Sequence, residues 1–444
     1  MRILLITDEE WNDYVYGNNI LTNWFAGFDA EFAQIYCSPG LPNNSVCDRY
    51  FRITDGEMVH SLMLGPRAGH VISLSRDVVQ QQASKENAQR KGIYKVMKKV
   101  SLKMHTPVML IRDLIWCCGR YDKKSLRKFV KDFEPDIVFC PRLITPKLMR
   151  LEKMVFQYTK APFVAFTADD EASLQQVSYS PLFWARRLWI RRKLKSHVKI
   201  YKQYLTFSKD QAEEYQKKYN IPTSTLFKCG DFKDEYVEKP VGHPIQMVYA
   251  GRLYCHRWFT LGKIGQALRE INKDDIKIVL NVYSQGTLSK KQREVLSPEN
   301  FIFFKGAISP AELKEVYSNA DIALHVESFE KKYMYATRVS FSTKIIDLMA
   351  STCAIMAICW SRHAGYQYLK ENDAAFCIDN EYDILPMIRL IVGHPELITK
   401  MQRRAWECGR MNHEKEFIQS QIKELFKNIM CFGYDGYHCK SDER

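Results

Sequence analysis

Met247-Val-Tyr-Ala-Gly-Arg252 reads as a β-strand that ends on a glycine and runs straight into an arginine, with Arg257 six positions beyond Gly251. A glycine at the carboxyl end of a first parallel strand lets the chain turn tightly, and the crevice beyond such strand ends is where α/β sheets take ligands. Two guanidinium groups over that crevice suit a diphosphate, because each engages two oxygens at once. An ordinary strand-to-helix turn has the same local sequence. Neither a G-x-G-x-x-G nor a Walker A pattern occurs, so nicotinamide-dinucleotide and P-loop chemistry find no support.

Outward from this strand, short β-branched runs alternate with helical patterns, the signature of parallel sheets built from β-α-β units. Further strands are expected at 2–7, 32–37, 136–140, 163–167 and 204–208, then at 277–283, 302–305, 322–326, 354–358 and 374–378. Helices are expected near 17–27, 123–133, 143–160 and 209–219 in the first half. In the second they fall near 260–271, 310–318, 342–351, 364–371 and 381–393, with a strandless helical region over 395–428. The loop 231–244, with two prolines and mixed charge, is the seam. The alternation therefore predicts an α/β chain of two doubly wound, Rossmann-like domains, 1–238 and 239–405, and a helical segment 406–444 packing across the seam. A basic and apolar insertion near 84–131 interrupts the first domain, with Ile93, Val96, Met97, Val100 and Met104 on one helical face.

The composition bounds the rest. The 444 residues are 46% hydrophobic and 26% charged, which excludes large-scale disorder and low-complexity folds. The net charge of +14 is local: residues 89–131 hold 13 Lys/Arg against two Asp/Glu, and 182–202 hold eight against none, more than the whole excess. Thirteen cysteines occur without any C-x-x-C pair, several of them in apolar runs (Cys140, Cys353, Cys359, Cys377), where a thiol acts as a small buried hydrophobe. No His/Asp group has metal spacing, and lone His256 and His325 read as packing or capping residues. The amino-terminal run Met1–Thr7 ends in Asp8-Glu-Glu10 and lacks the length of an export signal. No uncharged apolar run reaches the roughly 18 residues that a spanning helix needs. A cytoplasmic location is expected.

Three more stretches carry candidate chemistry. In Ala320-Asp-Ile-Ala-Leu-His-Val-Glu-Ser-Phe329, Glu327 follows a strand end. In Ser342-Thr-Lys-Ile-Ile-Asp347, Ser342 and Thr343 open a helix whose N–H groups suit a phosphate, Lys344 adds charge, and Asp347 is placed for a ribose diol. Simple helix capping explains Ser342 and Thr343 equally. In Phe166-Thr-Ala-Asp-Asp-Glu171, Asp169 or Asp170 can orient an acceptor hydroxyl or act as base, or the three carboxylates form a solvated loop.

In order and spacing these features resemble the GT-B glycosyltransferases, in particular family 4, the retaining enzymes of bacterial surface polysaccharide synthesis. The family's strand, G-R-L-x-x-x-K-G, E-x-F-G and E-A-M-A steps are similar to Gly251-Arg-Leu-Tyr-Cys-His-Arg257, Glu327-Ser-Phe329 and Asp347-Leu-Met-Ala350, with Lys305-Gly-Ala-Ile-Ser-Pro-Ala-Glu-Leu313 between. The likeness covers about 245–360. Arg257 stands for a lysine, Glu330 for a glycine, and Asp347 for a glutamate, 20 positions after Glu327 rather than eight.

The resemblance implies two Rossmann-like domains facing across a cleft. The first would bind acceptor and the second a nucleoside-diphosphate sugar, without metal or other cofactor. It assigns catalytic roles to Arg252, Arg257, Asp169 and Glu327. It assigns donor binding to Gly251, Arg252, Arg257, Tyr283, Ser342, Thr343, Lys344 and Asp347, with Gly17 approaching from the first domain. The acceptor would be a saccharide or a polyprenyl-linked saccharide. The two basic stretches, with Trp116, Phe183, Trp184 and Trp189, fit an anionic membrane surface on the inner face of the cytoplasmic membrane, or else a solvated basic face; no nucleic-acid motif accompanies them. A GT-B sugar-nucleotide epimerase and a non-catalytic sugar-nucleotide-binding partner are the alternatives.

Overall fold

The computed structural model describes residues 1–15, 19–63, 65–72 and 105–431. Eight strands form the first sheet: β1 (Arg2–Thr7), β2 (Glu31–Tyr36), β3 (Arg49–Arg52), β4 (His70–Ile72), β5 (Ile137–Pro141), β6 (Phe163–Thr167), β7 (Tyr201–Thr206) and β8 (Thr223–Thr225). Their order is β4-β3-β2-β1-β5-β6-β7-β8, parallel except for β4 at the edge. The second sheet holds β9 (Ile245–Ala250), β10 (Ile278–Tyr283), β11 (Ile302–Gly306), β12 (Ile322–Val326), β13 (Ala354–Ile358) and β14 (Phe376–Ile378). It is wholly parallel, in the order β11-β10-β9-β12-β13-β14. β12 and β13 are buried at every position, as expected of strands with helices on both faces.

Each sheet reverses its winding once, between β1 and β5 in the first and between β9 and β12 in the second. Those two switch points are where such sheets open a crevice beyond their strand ends.

The region 395–428 is two helices, Glu396–His413 and Lys415–Cys431, broken where Glu414 swings to ψ 143. The first packs on β13 of the second domain. The second crosses back to the first domain, where Ile418, Ile422 and Phe426 are buried and Phe426 meets Phe139 edge-on at 5.7 Å. Gln419 fastens it by donating to the carbonyls of Trp24 and Ala26 at 2.8 and 3.1 Å. One apolar cluster consequently runs from Ile3 and Phe139 through Phe426 to Ile345 and Ala323 of the second domain.

The insertion near 84–131 is described only from residue 105 onward. Its segment 84–104, with the apolar face at Ile93, Val96, Met97, Val100 and Met104, lies outside the described residues. Beyond it, His105–Cys118 is a helix whose Trp116 is fully buried, its Nε1 donating to Asp55 at 2.5 Å. Trp116 therefore cannot meet a membrane. The second basic stretch forms the helix Pro181–His197, capped by Ser180. Its Arg186 binds Asp113 at 2.7 Å and its Arg187 binds Asp170 at 3.0 Å, so both are internal ties. Among the described residues no helix is long and apolar enough to cross a membrane.

Candidate functional site

The crevice at the second switch point is built from the ends of β9 and β12. β9 delivers the chain into a turn at Gly251, whose N–H donates to Tyr283 O at 2.9 Å. A Cβ on Gly251 would stand 2.6 Å from Lys344 Nζ and 3.0 Å from Tyr249 Oη, so only glycine lets the lysine reach this backbone. Lys344 Nζ donates to Ala250 O at 2.9 Å. Burial lowers the Lys344 pKa, and the neighbouring Arg257 and Arg252 push it the same way. Arg252 is exposed at this strand end, and its carbonyl is held by Tyr249 Oη at 2.8 Å. Three cations thus gather at this turn.

The two arginines are not equivalent. Cys255 (φ 54) and His256 (φ 57) both adopt the left-handed region, each unfavourable by about 1–2 kcal/mol, and this turn launches the helix Arg257–Ile271. Arg257 then forks on Glu327, with Nε to Oε2 at 2.9 Å and Nη2 to Oε1 at 2.5 Å. Burial works to lower the Arg257 pKa, and the Glu327 carboxylate more than reverses it. Thr260 Oγ1 holds the Glu327 carbonyl at 3.0 Å. The residues Arg257 and Glu327, each expected at the site, thus stand as one bonded pair. Arg257 and Glu327 lock each other, because a buried charge is tolerated only with its partner. Arg252, exposed, and Lys344, bonded to the Ala250 carbonyl, are the other cations at this turn.

Thr343 stands at the N-cap of the helix Lys344–Ala350 without a side-chain capping bond, and Ser342 precedes it, its carbonyl accepting from Ile345 N–H at 2.9 Å. Asp347, half-exposed in this helix, is paired with Lys228 at 2.5 Å. Tyr283 ends β10, half-buried, with its hydroxyl pKa raised by that burial. His256 pairs with Glu330 and stacks beside Trp258 and Tyr333, so it supports the turn. Gly17 lies outside the described residues.

The first domain faces this crevice through the loop after β6. Asp169 accepts from Ser340 Oγ at 3.4 Å, two residues before Ser342. Desolvation raises the Asp169 pKa, and Asp170 adds to it. Asp170 itself is tied to Arg187 and to the Ser173 N–H at 2.8 Å. Burial pushes the Glu171 carboxyl up to about 8, with Asp169 next in effect, so Glu171 carries a proton at neutral pH. The three carboxylates therefore divide into one that faces the second domain, one structural tie and one neutral acid. Gln176 donates to Tyr335 O at 3.0 Å and Arg338 pairs with Glu214 at 2.6 Å, so further bonds join the two domains here.

Spacing in the sequence missed Lys228, Ser340 and the neutral Glu171, each defined by a contact across the fold.

No family model matches the chain, and no curated protein matches it. Solved structures do. HepE from Anabaena, crystallised in complex with UDP, is similar with a TM-score of 0.62 at 11% identity, over 96% of this chain and 100% of that one. Sucrose-phosphate synthase from Thermosynechococcus elongatus gives 0.59 at 14% identity, over 97% and 99%. The GtfA/B complex gives 0.52 at 12% identity over 70% of this chain, which spans only 61% of that partner's length. At such identities the likeness concerns architecture, and it agrees with the two switch points described above: the chain has the GT-B fold, two Rossmann-like α/β domains facing across a cleft.

Proposed function

We propose that the chain is a glycosyltransferase that moves a hexose from a nucleoside-diphosphate sugar, with UDP as the nucleotide, onto a saccharide or polyprenyl-linked saccharide, with retention, in cell-surface polysaccharide synthesis. One observation carries this reading: Arg252 and Lys344 crowd the glycine turn at the second switch point, while Asp169 reaches the same cleft from the other domain. In this reading the two cations take the diphosphate, Asp347 takes the ribose and Asp169 orients the acceptor hydroxyl. Arg257, locked by Glu327, shapes the floor beneath them. Negative charge grows on the departing diphosphate, so cations fixed in advance stabilise the transition state more than the ground state. The fold neighbour HepE was crystallised with UDP, which favours uridine over other bases.

The acceptor side supports a membrane-surface location. Arg192, Lys195 and Lys199 are exposed on and just beyond the helix Pro181–His197. Leu182 and Leu188 are exposed on it too, and Ile111 and Leu114 on the adjoining helix His105–Cys118. Apolar side chains flanked by lysine and arginine suit an anionic bilayer surface.

Purified protein incubated with a panel of UDP-hexoses and polyprenyl-linked saccharides should release UDP, with NMR of the product reporting the anomeric configuration. Arg252→Ala should cut transfer by about 10²–10³-fold, the scale of losing one charge-stabilising donor, with circular dichroism unchanged. Full activity in that variant would remove Arg252 from the site.

A further inference from the structure

The long spacing between Glu327 and Asp347 is taken up by a segment to which the transfer reading gives no role. It runs from Glu330 through the helix Lys331–Thr337 to Phe341. Its own domain holds it at four points. Glu330 pairs with His256, and Tyr333 packs on the same ring at 5.3 Å. Tyr335 meets Trp360 edge-on at 5.6 Å, and Arg338 O accepts from Ala364 N–H at 2.9 Å. The same segment is bonded to the first domain. Tyr335 O accepts from Gln176 Nε2, and Ser340 Oγ donates to Asp169 Oδ1. Arg338 grips Glu214 with Nη1 at 2.6 Å and Nη2 at 3.0 Å. Glu214 lies on the helix Lys209–Tyr219, whose Asp210 adds a second negative charge near the guanidinium. The segment is thus a strap fastened on both sides of the cleft.

Arg338 is the strongest of these fastenings. Its side chain is 4% exposed, whereas that of Glu214 is 35% exposed. A guanidinium so far from water needs its counter-charge, and a two-pronged grip on a carboxylate fixes direction as well as distance. Glu214 belongs to the other domain, so that counter-charge is in place only while the domains stand together. We propose that Arg338 is a positioning residue for the transfer: gripping Glu214, it holds the strap 330–341 across the cleft, and Ser340 on that strap sets Asp169 against the donor crevice. The inference rests on the transfer reading, in which Asp169 orients the acceptor hydroxyl. Only two residues separate Arg338 from Ser340, so the grip on Glu214 also fixes where Ser340 Oγ meets Asp169. Without that grip the acceptor side is free to move away from Arg252 and Lys344. The donor groups Arg252, Lys344 and Asp347 all belong to the second domain and keep their places.

Arg338→Ala should lower kcat by about 10²-fold, the scale of a misplacement of roughly 1 Å, and raise the KM for acceptor. Its affinity for UDP in calorimetry should stay that of the unaltered chain. Arg338→Lys, which keeps the charge but not the two-pronged grip, should recover part of the lost rate. Small-angle X-ray scattering should give Arg338→Ala a larger radius of gyration than the unaltered chain, with circular dichroism unchanged. Should that variant fail to fold, Glu214→Ala, at the partly exposed end of the pair, makes the same comparison. An unchanged radius overturns the strap whether or not the chain transfers sugar. A larger radius with full kcat overturns the positioning role. An unaltered chain that transfers no sugar removes the transfer reading and the positioning role together, while the scattering still decides the strap.

Discussion

Two arginines in this molecule fork on buried glutamates, and they differ in how far they are sealed. Arg142 follows β5 and grips Glu152 with Nε at 2.7 Å, both side chains being wholly buried. Tyr204 takes Nη1 at 3.2 Å, and Tyr201 takes Nη2. His197 adds a bond to Glu152 at 2.7 Å. Burial alone would raise the Glu152 pKa, but Arg142 and His197 bring it down to about 2. The other pair, Arg257–Glu327, keeps 16% of the arginine side chain exposed and rests on the Tyr254 ring. Similar chemistry thus serves two ends. The closed network orders the first domain's interior, while the open pair sits at a switch point with the arginine partly in contact with water.

The largest expected effect breaks the sealed network. Glu152→Gln keeps the volume but leaves the Arg142 charge buried without its counter-ion, which should cost about 3–5 kcal/mol in urea unfolding. Glu327→Gln should cost less, because Arg257 can take up water from the crevice, yet it should weaken UDP binding while Glu152→Gln spares it. Equal losses of stability in the two variants would erase the distinction between closed and open pairs.

A buried base without an opposite charge tests the same contrast at the seam. His413 is fully buried at the end of the helix Glu396–His413, with Nε2 bonded to Tyr368 Oη at 2.8 Å and the ring against Phe227. Its carbonyl accepts from Gly230 N–H at 2.7 Å, where the chain passes between domains. Burial lowers its pKa to about 4 from 6.5. The unfolded chain takes a proton below about 6.5 and the folded chain only near 4, so acid favours unfolding across that window. The loss should approach about 3 kcal/mol by pH 4. His413→Gln keeps a neutral partner for Tyr368 and should flatten the dependence of stability on pH between those values. An unchanged slope in that variant counts against His413 as the acid-sensitive group.

The sequence made parts of this molecule legible and hid others for identifiable reasons. β12 and β13 match the expected 322–326 and 354–358 residue for residue, since a strand buried on both faces must be an unbroken apolar run. β3 (Arg-Tyr-Phe-Arg), β4 and β8 escaped notice because short strands toward a sheet's margins carry little apolar pattern. The cations at the crevice were legible from Gly251-Arg252 and Lys344. That Arg257 belongs to Glu327 was not, because 70 residues separate them and only β9 and β12 lying side by side joins them. Two residues of the basic stretches deceived in the same way. An amphipathic helix has one pattern whether its far face meets lipid or protein, and only the packing shows Trp116 and Arg187 turned inward.

The smallest effect concerns the exposed pair Lys228–Asp347, which sharpens the contrast from the other side. Asp347 keeps 47% of its side chain in water, so the pair contributes at most about 1 kcal/mol, and removing either partner should barely move the unfolding midpoint. Binding should respond differently. A carboxylate that accepts a ribose hydroxyl is worth about 1.5–3 kcal/mol, so Asp347→Ala should weaken UDP by about tenfold or more in calorimetry. Lys228→Ala, which frees the carboxylate, should leave the affinity equal or tighter. A Lys228→Ala variant that loses as much affinity as Asp347→Ala would mean that the ion pair, rather than the carboxylate, is what the nucleotide needs.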